Sequence, residues 1–418
     1  MRAERCKGFR DLSPEEMERF RFVEQSFRDC CLGWGFREVR TPTLEYFHLF
    51  TSAGTLTPGM LSKVYSFLDW DGWSGQRVVL RPDGTIPVAR FYIDNMADRR
   101  LARLFYVTNI FRFEEAGEEA RERWQGGVEL IGVSSPVADL ELIVMSLSVL
   151  ARLGIKDVRL CLSHAGLIRS LLSGLKLSPR EQARVFDQIL DGDTEALARI
   201  KSEKPKLGKA LTSLLDLKGK SSSILRDAKA LFNHHFPELE PHIDNLISVV
   251  APLEALGYPF WIDIASGRGF EYYTGVIFQL FVAEDKVGGG GRYDALIPLM
   301  GGGDIPASGF ALYFDHLVDL VAPSWLLKPL APRVLIKSES AGLGQGLDIA
   351  SRLREAGYVA ELWLGGPKAA GFAWLIEVND KAPRFTVTSH KNQKFEFETA
   401  GEVLGLLGGG NAGQDSVT

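Results

Sequence analysis

The sequence predicts an α+β fold: an antiparallel sheet flanked by helices, interrupted by a helical insertion and followed by a small C-terminal α/β domain. Three observations carry this expectation. Strand-like runs with polar residues at alternate positions recur between 37 and 133 and again between 260 and 282, the pattern of a sheet with one face lined for a ligand. From about 163 to 256, leucines and charges at helical spacing take over and β-branched runs become scarce. Beyond a proline-bearing stretch at 321–332, a β-α-β pattern follows.

The elements can be justified in order. Ser13-Pro14-Glu15-Glu16 offers an N-cap serine, a proline at the first helical position and a glutamate placed for a capping box. Met17, Phe20, Val23, Phe27 and Cys30 then recur at helical spacing, and Gly33 suits the stop. Gly35 to Pro42 alternates as a strand and ends at the proline. Further strands are expected at Arg77–Leu80, Leu104–Phe113, Gly127–Val133, Phe260–Ala265 and Tyr272–Val282, with a helix opening at Ser135-Pro136 and running to Leu150. The expected domains are 1–320, a linker at 321–332, an α/β domain at 333–407 and a disordered tail at 408–418, rich in glycine and polar residues.

Composition narrows the function classes. The chain has 418 residues, 45% hydrophobic and 24% charged, the balance of an ordinary folded protein of two to three domains. Its 48 Lys and Arg stand against 53 Asp and Glu, a net charge of −5, which argues against a surface that grips nucleic acid throughout. Cys6, Cys30, Cys31 and Cys161 show neither CxxC spacing nor clustered histidines, so neither a disulfide framework nor a metal motif is expected. The start lacks the apolar core of a signal peptide and no apolar run reaches membrane-spanning length, which predicts a cytoplasmic protein with no membrane partner.

Several short motifs carry possible chemistry. Arg81-Pro82-Asp83-Gly84-Thr85 sets a carboxylate and a hydroxyl on a tight turn, where Asp83 could take an ammonium and Thr85 a second hydrogen bond; a capped turn is the commoner explanation of such a pentapeptide. Arg112, ending a strand as an exposed side chain, could clamp a phosphate or carboxylate, or form a surface ion pair. Gln125, Gly127 and Glu129 share one strand face, with Val128 and Leu130 on the other, so an amide and a carboxylate stand side by side on a sheet floor. In Ser266 to Phe278, glycines flank Arg268, and Tyr272 and Tyr273 would place one ring in the core and one over a pocket. Gly288 to Asp294 and Gly301 to Asp304 match no phosphate-binding pattern and read as flexible loops.

Taken in order, GFREVRTPTLE, RPDGT, FRFEE, Gln125 with Glu129, RGFEYYTGVIF, GGGGRYD and PASGFAL resemble the class II histidyl-tRNA synthetase catalytic core over roughly residues 7–320. RGFEYYTG is specific to the histidine branch. Within that group the chain resembles the ATP phosphoribosyltransferase regulatory subunits, synthetase paralogues of histidine biosynthesis. The resemblance implies a class II aminoacyl-tRNA synthetase-like fold with a degenerate anticodon-binding-like C-terminal domain.

Departures from the synthetase pattern support that choice. Where the synthetases read approximately GFGIGxERL, with an arginine against the ATP phosphates, this chain has Tyr313 for a glycine and His316 for the arginine. Losing a fixed cation there removes transition-state stabilisation of about 2.7–4 kcal/mol per donor. Glu118 and Glu119 stand at a Gly-Arg pair that meets ATP and tRNA, where negative charge is repulsive. Residues 333–418 hold nine Lys and Arg against ten Asp and Glu, a poor footprint for RNA.

By carry-over, Asp83, Thr85, Gln125, Glu129, Tyr272 and Tyr273 would hold the amino group and imidazole of histidine, with Arg112 and Arg268 facing its carboxylate. No catalytic residue, cofactor or metal is implied. The implied role is a non-catalytic histidine sensor, needed with a short-form catalytic ATP phosphoribosyltransferase subunit for the first step of histidine biosynthesis and its feedback inhibition. The implied assembly is a homodimer, paired around Pro42, within a hetero-oligomer that is octameric in the family; no nucleic-acid partner is implied. The alternatives are an active histidyl-tRNA synthetase with drifted ATP motifs, favoured by Arg268, and a histidine-binding protein with no transferase partner.

Overall fold

A computed structural model describes residues 4–52, 63–70, 75–113, 121–175, 177–190, 193–266, 272–322, 331–339, 342–365 and 371–409. The chain divides into two compact units, Met1–Leu326 and Leu327–Thr418.

The first unit opens with α1 (Pro14–Gly33), whose capping box is complete: Ser13 Oγ accepts the Glu16 N–H at 3.2 Å and Glu16 Oε2 accepts the Ser13 N–H at 2.7 Å. Phe20, Val23, Phe27, Cys30 and Cys31 form its buried stripe, each large apolar side chain contributing about 1.5–3 kcal/mol by leaving water. There follow β1 (Arg37–Glu38), β2 (Leu44–Tyr46), α2 (Phe47–Ser52), β3 (Ser66–Trp70), β4 (Gly75–Leu80), α3 (Thr85–Met96), β5 (Ala102–Phe111), β6 (Glu122–Ile131) and α4 (Pro136–Arg152). Ser135 caps α4 ahead of Pro136, as its sequence predicts.

The insertion comprises α5 (Ala165–Ser173), α6 (Pro179–Leu190), α7 (Thr194–Glu203), α8 (Pro205–Leu215), α9 (Ser223–Phe232), a 3-10 turn at Pro237–Leu239 and α10 (Glu240–Ala255). It starts later than the expected boundary, because Ser163 and His164 still belong to β7 (Val158–His164); a two-residue strand, β8 (Lys218–Gly219), also interrupts the helices. The sheet resumes with β9 (Phe260–Asp263), β10 (Val276–Val282), β11 (Asp285–Arg292), a short α11 (Leu296–Leu299) and β12 (Ala307–Tyr313), and α12 (Phe314–Leu320) packs behind.

Nine strands form one sheet in the order β1-β5-β6-β12-β11-β10-β7-β9-β8. Its centre is antiparallel; β1 with β5 and β7 with β9 pair in parallel near the margins. The run Gly288–Gly291 is not a flexible loop: it lies in β11 at the middle of this sheet. Glycine is required there by close approach, since a Cβ on Gly290 would stand 2.2 Å from the Gly309 carbonyl oxygen of the neighbouring strand. Phe27 meets Phe105 and Phe314 edge-on at 6.1 and 5.5 Å, joining α1 and α12 to the sheet. A separate antiparallel sheet, ordered β2-β4-β3, carries Leu44, Tyr46, Phe67, Leu68 and Trp70 exposed.

The second unit contains β13 (Arg333–Ser338), α13 (Leu343–Glu355), β14 (Val359–Leu362), β15 (Trp374–Val378), β16 (Phe385–Ser389), β17 (Lys394–Phe397) and α14 (Ala400–Gly409). Its sheet runs β14-β13-β15-β16-β17, parallel around β13 and antiparallel beyond β15. The expected β-α-β pattern is thus extended by three strands and a helix. Gly408 and Gly409 continue α14, where the sequence predicts the start of a tail.

Candidate functional site

Strands β5, β6, β12 and β11 line a cleft of about 570 Å³. Arg81, directly before it, is structural: its buried guanidinium donates to the carbonyls of Thr41, Pro42 and Asn109 and to the Asn109 side chain, at 2.7–3.0 Å. This fixes the turn that delivers Asp83. The Asp83 Oδ1 accepts the Ile86 N–H at 2.9 Å, so the residue both caps α3 and lines the cleft. Burial raises its pKa, against the Ile86 N–H and the Arg112 charge.

Around Asp83 the lining is rich in hydroxyls and carboxyls. Thr85 is buried at the start of α3, and Gln125 Nε2 donates to the Tyr106 hydroxyl at 3.1 Å. Glu129 lies four residues along β6 on the same face, only 1% exposed, and its Oε2 accepts the Tyr293 hydroxyl. Room for that carboxyl exists because its cross-strand neighbour is Gly309, on which a Cβ would stand 2.0 Å from Oε2. Burial pushes the Glu129 pKa up to about 8, although the hydroxyls of Tyr293, Thr85 and Tyr106 pull it down. Tyr272 and Tyr273 stack obliquely, with centroids 5.0 Å apart, and Tyr272 meets Tyr293 edge-on at 5.6 Å. These groups can receive hydrogen-bond donors and positive charge: an ammonium group or a ring N–H.

Cations line the cleft as well. Arg112 is half-buried rather than exposed, anchored by Nε to the Pro82 carbonyl at 3.0 Å. Arg123 and Lys286 line the same wall, and burial, then the Arg112 charge, lowers the Lys286 pKa to about 8. Tyr313 stands opposite Gln125 in register and reaches into the cleft, with the exposed His316 ring 6.2 Å away at its mouth. Asp315 is occupied structurally, accepting the Trp124 N–H at 2.6 Å and pairing with Arg10 at 3.2 Å. The cleft therefore brings acidic and phenolic side chains together with cationic ones, a lining that suits an amino acid.

The sequence-predicted residues Asp83, Thr85, Arg112, Gln125, Tyr272, Tyr273, Tyr313 and His316 thus share one cleft, with Glu129 sealed beneath its floor. Both tyrosines of the pair line the cleft, where one was expected in the core. Arg268, Glu118 and Glu119 lie outside the described residues. Sequence reasoning missed Tyr106, Arg123, Lys286 and Tyr293. For Tyr106 the available signal is the glycine opposite it: a Cβ on Gly127 would stand 2.2 Å from the ring. Among the described residues, no group of three or more His, Cys, Asp or Glu is placed to hold a metal, and no helix is long and apolar enough to cross a membrane.

Comparison with known proteins follows from this geometry. Residues 8–317 match the family model for histidyl-tRNA synthetase. An ATP phosphoribosyltransferase regulatory subunit from Dehalococcoides mccartyi is 50% identical over 405 residues, covering 97% of this chain and 98% of the relative. The chain belongs to the ATP phosphoribosyltransferase regulatory subunit branch of the histidyl-tRNA synthetase family. A histidine–tRNA ligase from Archaeoglobus fulgidus is more distant from this regulatory-subunit sequence, 35% identical over 369 residues, 86% of this chain and 85% of the ligase. Among solved structures, an ATP phosphoribosyltransferase regulatory subunit/histidyl-tRNA synthetase from Bacillus halodurans superposes with a TM-score of 0.75 at 24% identity, covering 88% and 94% of the two chains. A histidyl-tRNA synthetase from a Nostoc species gives 0.71 at 18% identity, with 97% and 100% coverage. The regulatory-subunit chain therefore has the class II synthetase-like fold that its sequence predicts.

Proposed function

We propose that this chain is the regulatory subunit of an ATP phosphoribosyltransferase, required for the first step of histidine biosynthesis and for its inhibition by histidine. The observation that carries the reading is the mixed acidic, phenolic and cationic lining of the cleft. Asp83, Thr85, Gln125 and the tyrosines, with Glu129 beneath the floor, receive the ammonium and imidazole of histidine, and Arg112 faces its carboxylate. Tyr313 and His316 occupy the stretch where the synthetases keep a glycine and an arginine for ATP, which supports a sensor in place of a catalyst. The kinship to named regulatory subunits at 50% identity supports the same assignment.

The partner is a short-form catalytic subunit. Histidine shifts the assembly between states with a coupling of ordinary allosteric size, about 1–3 kcal/mol. The exposed apolar residues of the β2-β4-β3 sheet, next to Pro42, provide a face for a homodimer inside the hetero-oligomer. The second reading, a working histidyl-tRNA synthetase, is favoured, besides Arg268 in the sequence, by Arg112, Arg123 and Lys286, which still supply cations to the cleft.

Calorimetric titration with histidine, paired with histidine-dependent ATP–pyrophosphate exchange on the same sample, separates the two. Binding without exchange, together with histidine-sensitive activity after adding a short-form catalytic subunit, is the expected result. Robust exchange would move the chain to the synthetase reading. Absence of histidine binding would overturn the assignment of the cleft.

A further inference from the structure

A second concavity of about 790 Å³ lies within the helical insertion. The start of α8, the end of α9 and the turn after it form its walls, and Gly174 closes one side. The floor is apolar. Leu207, Ala210 and Phe232 are buried, and Phe236 meets Phe232 edge-on at 6.5 Å. The rim is basic: Lys204, Lys206 and Lys209 stand on one side and His234 and His235 on the other, with Glu238 the acid among the lining residues.

Much of this rim charge has no ion-pair partner among the described residues. Lys206 and Lys209 are exposed and make no ion pair among the described residues, and the Lys204 ammonium reaches only the Gly174 carbonyl. Lys204 and Lys206 also sit at the start of α8, the helix end where positive charge is disfavoured, and its first turn contains no acid. A lysine cluster on a convex face is relaxed by water and needs no ligand. Here the cluster surrounds a hollow with an aromatic floor, of a size in the range of about 300–1,000 Å³ typical of small-molecule sites. The chain as a whole carries a net charge of −5, so the patch runs against the overall balance.

We propose that this hollow binds a small aryl phosphate-type ligand: a dianionic phosphate held by Lys206 and Lys209, on an aromatic body resting against Leu207, Phe232 and Phe236. Three clustered lysines match a dianion better than a carboxylate, and the apolar floor adds affinity for a ring that free phosphate cannot use. The site is independent of the histidine cleft and does not rest on the regulatory assignment.

The test titrates the full chain with 1-naphthyl phosphate, followed by naphthalene fluorescence and calorimetry, with 1-naphthol, 1-naphthoate and inorganic phosphate as comparison probes. Saturable binding of one 1-naphthyl phosphate per chain is expected, with each comparison probe at least about tenfold weaker. The double variant Lys206→Glu/Lys209→Glu should lose at least about tenfold in affinity, with its thermal midpoint and histidine binding unchanged, and Lys206→Arg/Lys209→Arg should retain binding. Unchanged affinity in the glutamate double variant would overturn the proposal. So would loss of binding in Lys286→Met, which would place the ligand in the other cleft. Absence of saturable binding, or capture of a polyglutamate peptide in preference to the aryl phosphate, would equally reject a small-ligand site.

Discussion

Tyr293, which lines the cleft, donates its hydroxyl hydrogen to Oε2 of Glu129, buried beneath the floor. Glu129 is thereby held ready for a ligand at a cost to the empty protein. With its folded pKa at about 8 against an ordinary value of 4.5, the folded chain keeps a proton that the unfolded chain has released. The sign follows from linkage: the group destabilises the fold progressively as pH rises from 4.5 to about 8, by roughly 1.4 kcal/mol per pH unit at most.

Glu129→Gln keeps an oxygen for Tyr293 and removes the titration. The variant is expected to be more stable than the parent by about 1–4 kcal/mol at pH 8.5, with the gain gone near pH 4.5, and to bind histidine at least about tenfold more weakly. Urea unfolding at the two pH values, with histidine titration alongside, checks both parts. Equal stabilities at pH 8.5 would contradict the buried, proton-holding carboxyl.

Gly127→Ala tests how the cleft floor is held. The added methyl would stand 2.2–2.5 Å from the Tyr106 ring, whose hydroxyl receives the Gln125 amide. Displacing the ring should weaken histidine binding by about tenfold or more and cost about 1–3 kcal/mol of stability through overpacking. Adding Tyr106→Ala removes the clash, so Gly127→Ala should cost less stability in the Tyr106→Ala background than in the parent, with binding still weak in the double variant. Recovery of binding there would mean that Tyr106 plays no part in the site.

Legibility in the sequence followed the physics of each signal. The α1 capping box and the alternation of Gln125 and Glu129 are local rules, and the structure follows them closely. Asp83, Thr85, Tyr272 and Tyr273 were legible through the order of motifs along the chain, a signal that no single motif carried. Tyr293 was hidden because its neighbours are glycines, which read as flexibility. In fact Gly290 and Gly291 are needed where strands and the Tyr273 ring come within 2.2–3.0 Å of where a Cβ would be. Lys286 escaped notice because its side chain gains meaning only when β11 brings it beside Arg112. The parallel marginal pairs also depend on crossovers that periodicity does not encode.

Arg292 and Asp139 form a buried pair behind the cleft, with side chains 6% and 4% exposed. Arg292 Nε donates to Asp139 Oδ2 at 3.1 Å, and Nη1 donates to the Val133 carbonyl and to Asp294. Burial lifts the Asp139 pKa to about 6 even with the guanidinium alongside. Arg292→Leu leaves that carboxyl without its partner and should cost about 3–5 kcal/mol in urea unfolding at pH 7.5. Because the desolvation of one charge is then removed as well, Arg292→Leu/Asp139→Leu should recover part of the loss. A double variant less stable than the single would show that the arginine acts through its backbone bonds and not through the carboxylate.

His164 sits at the junction between sheet and insertion. It ends β7 and caps α5: Nδ1 accepts the Gly166 N–H at 3.1 Å, and Nε2 meets the Asn245 side-chain oxygen at 3.1 Å. Burial, with the His242 ring 5.1 Å away and Arg292 adding repulsion, lowers its pKa to about 3. The unfolded chain takes up a proton below about 6.5 that the folded chain refuses, so stability falls as pH drops from 6.5 towards 3, by up to roughly 1.4 kcal/mol per unit. His164→Asn keeps an oxygen for the cap and removes this titration. The variant should be about 1–2 kcal/mol less stable than the parent at pH 7.5, from lost packing, yet should lose less stability between pH 7 and pH 5. His242 remains as a second, weaker acid-sensitive group, its own pKa lowered by burial, so the variant keeps part of the pH dependence. Parallel losses in parent and variant over that interval would assign the acid sensitivity to His242 and leave His164 as a cap alone.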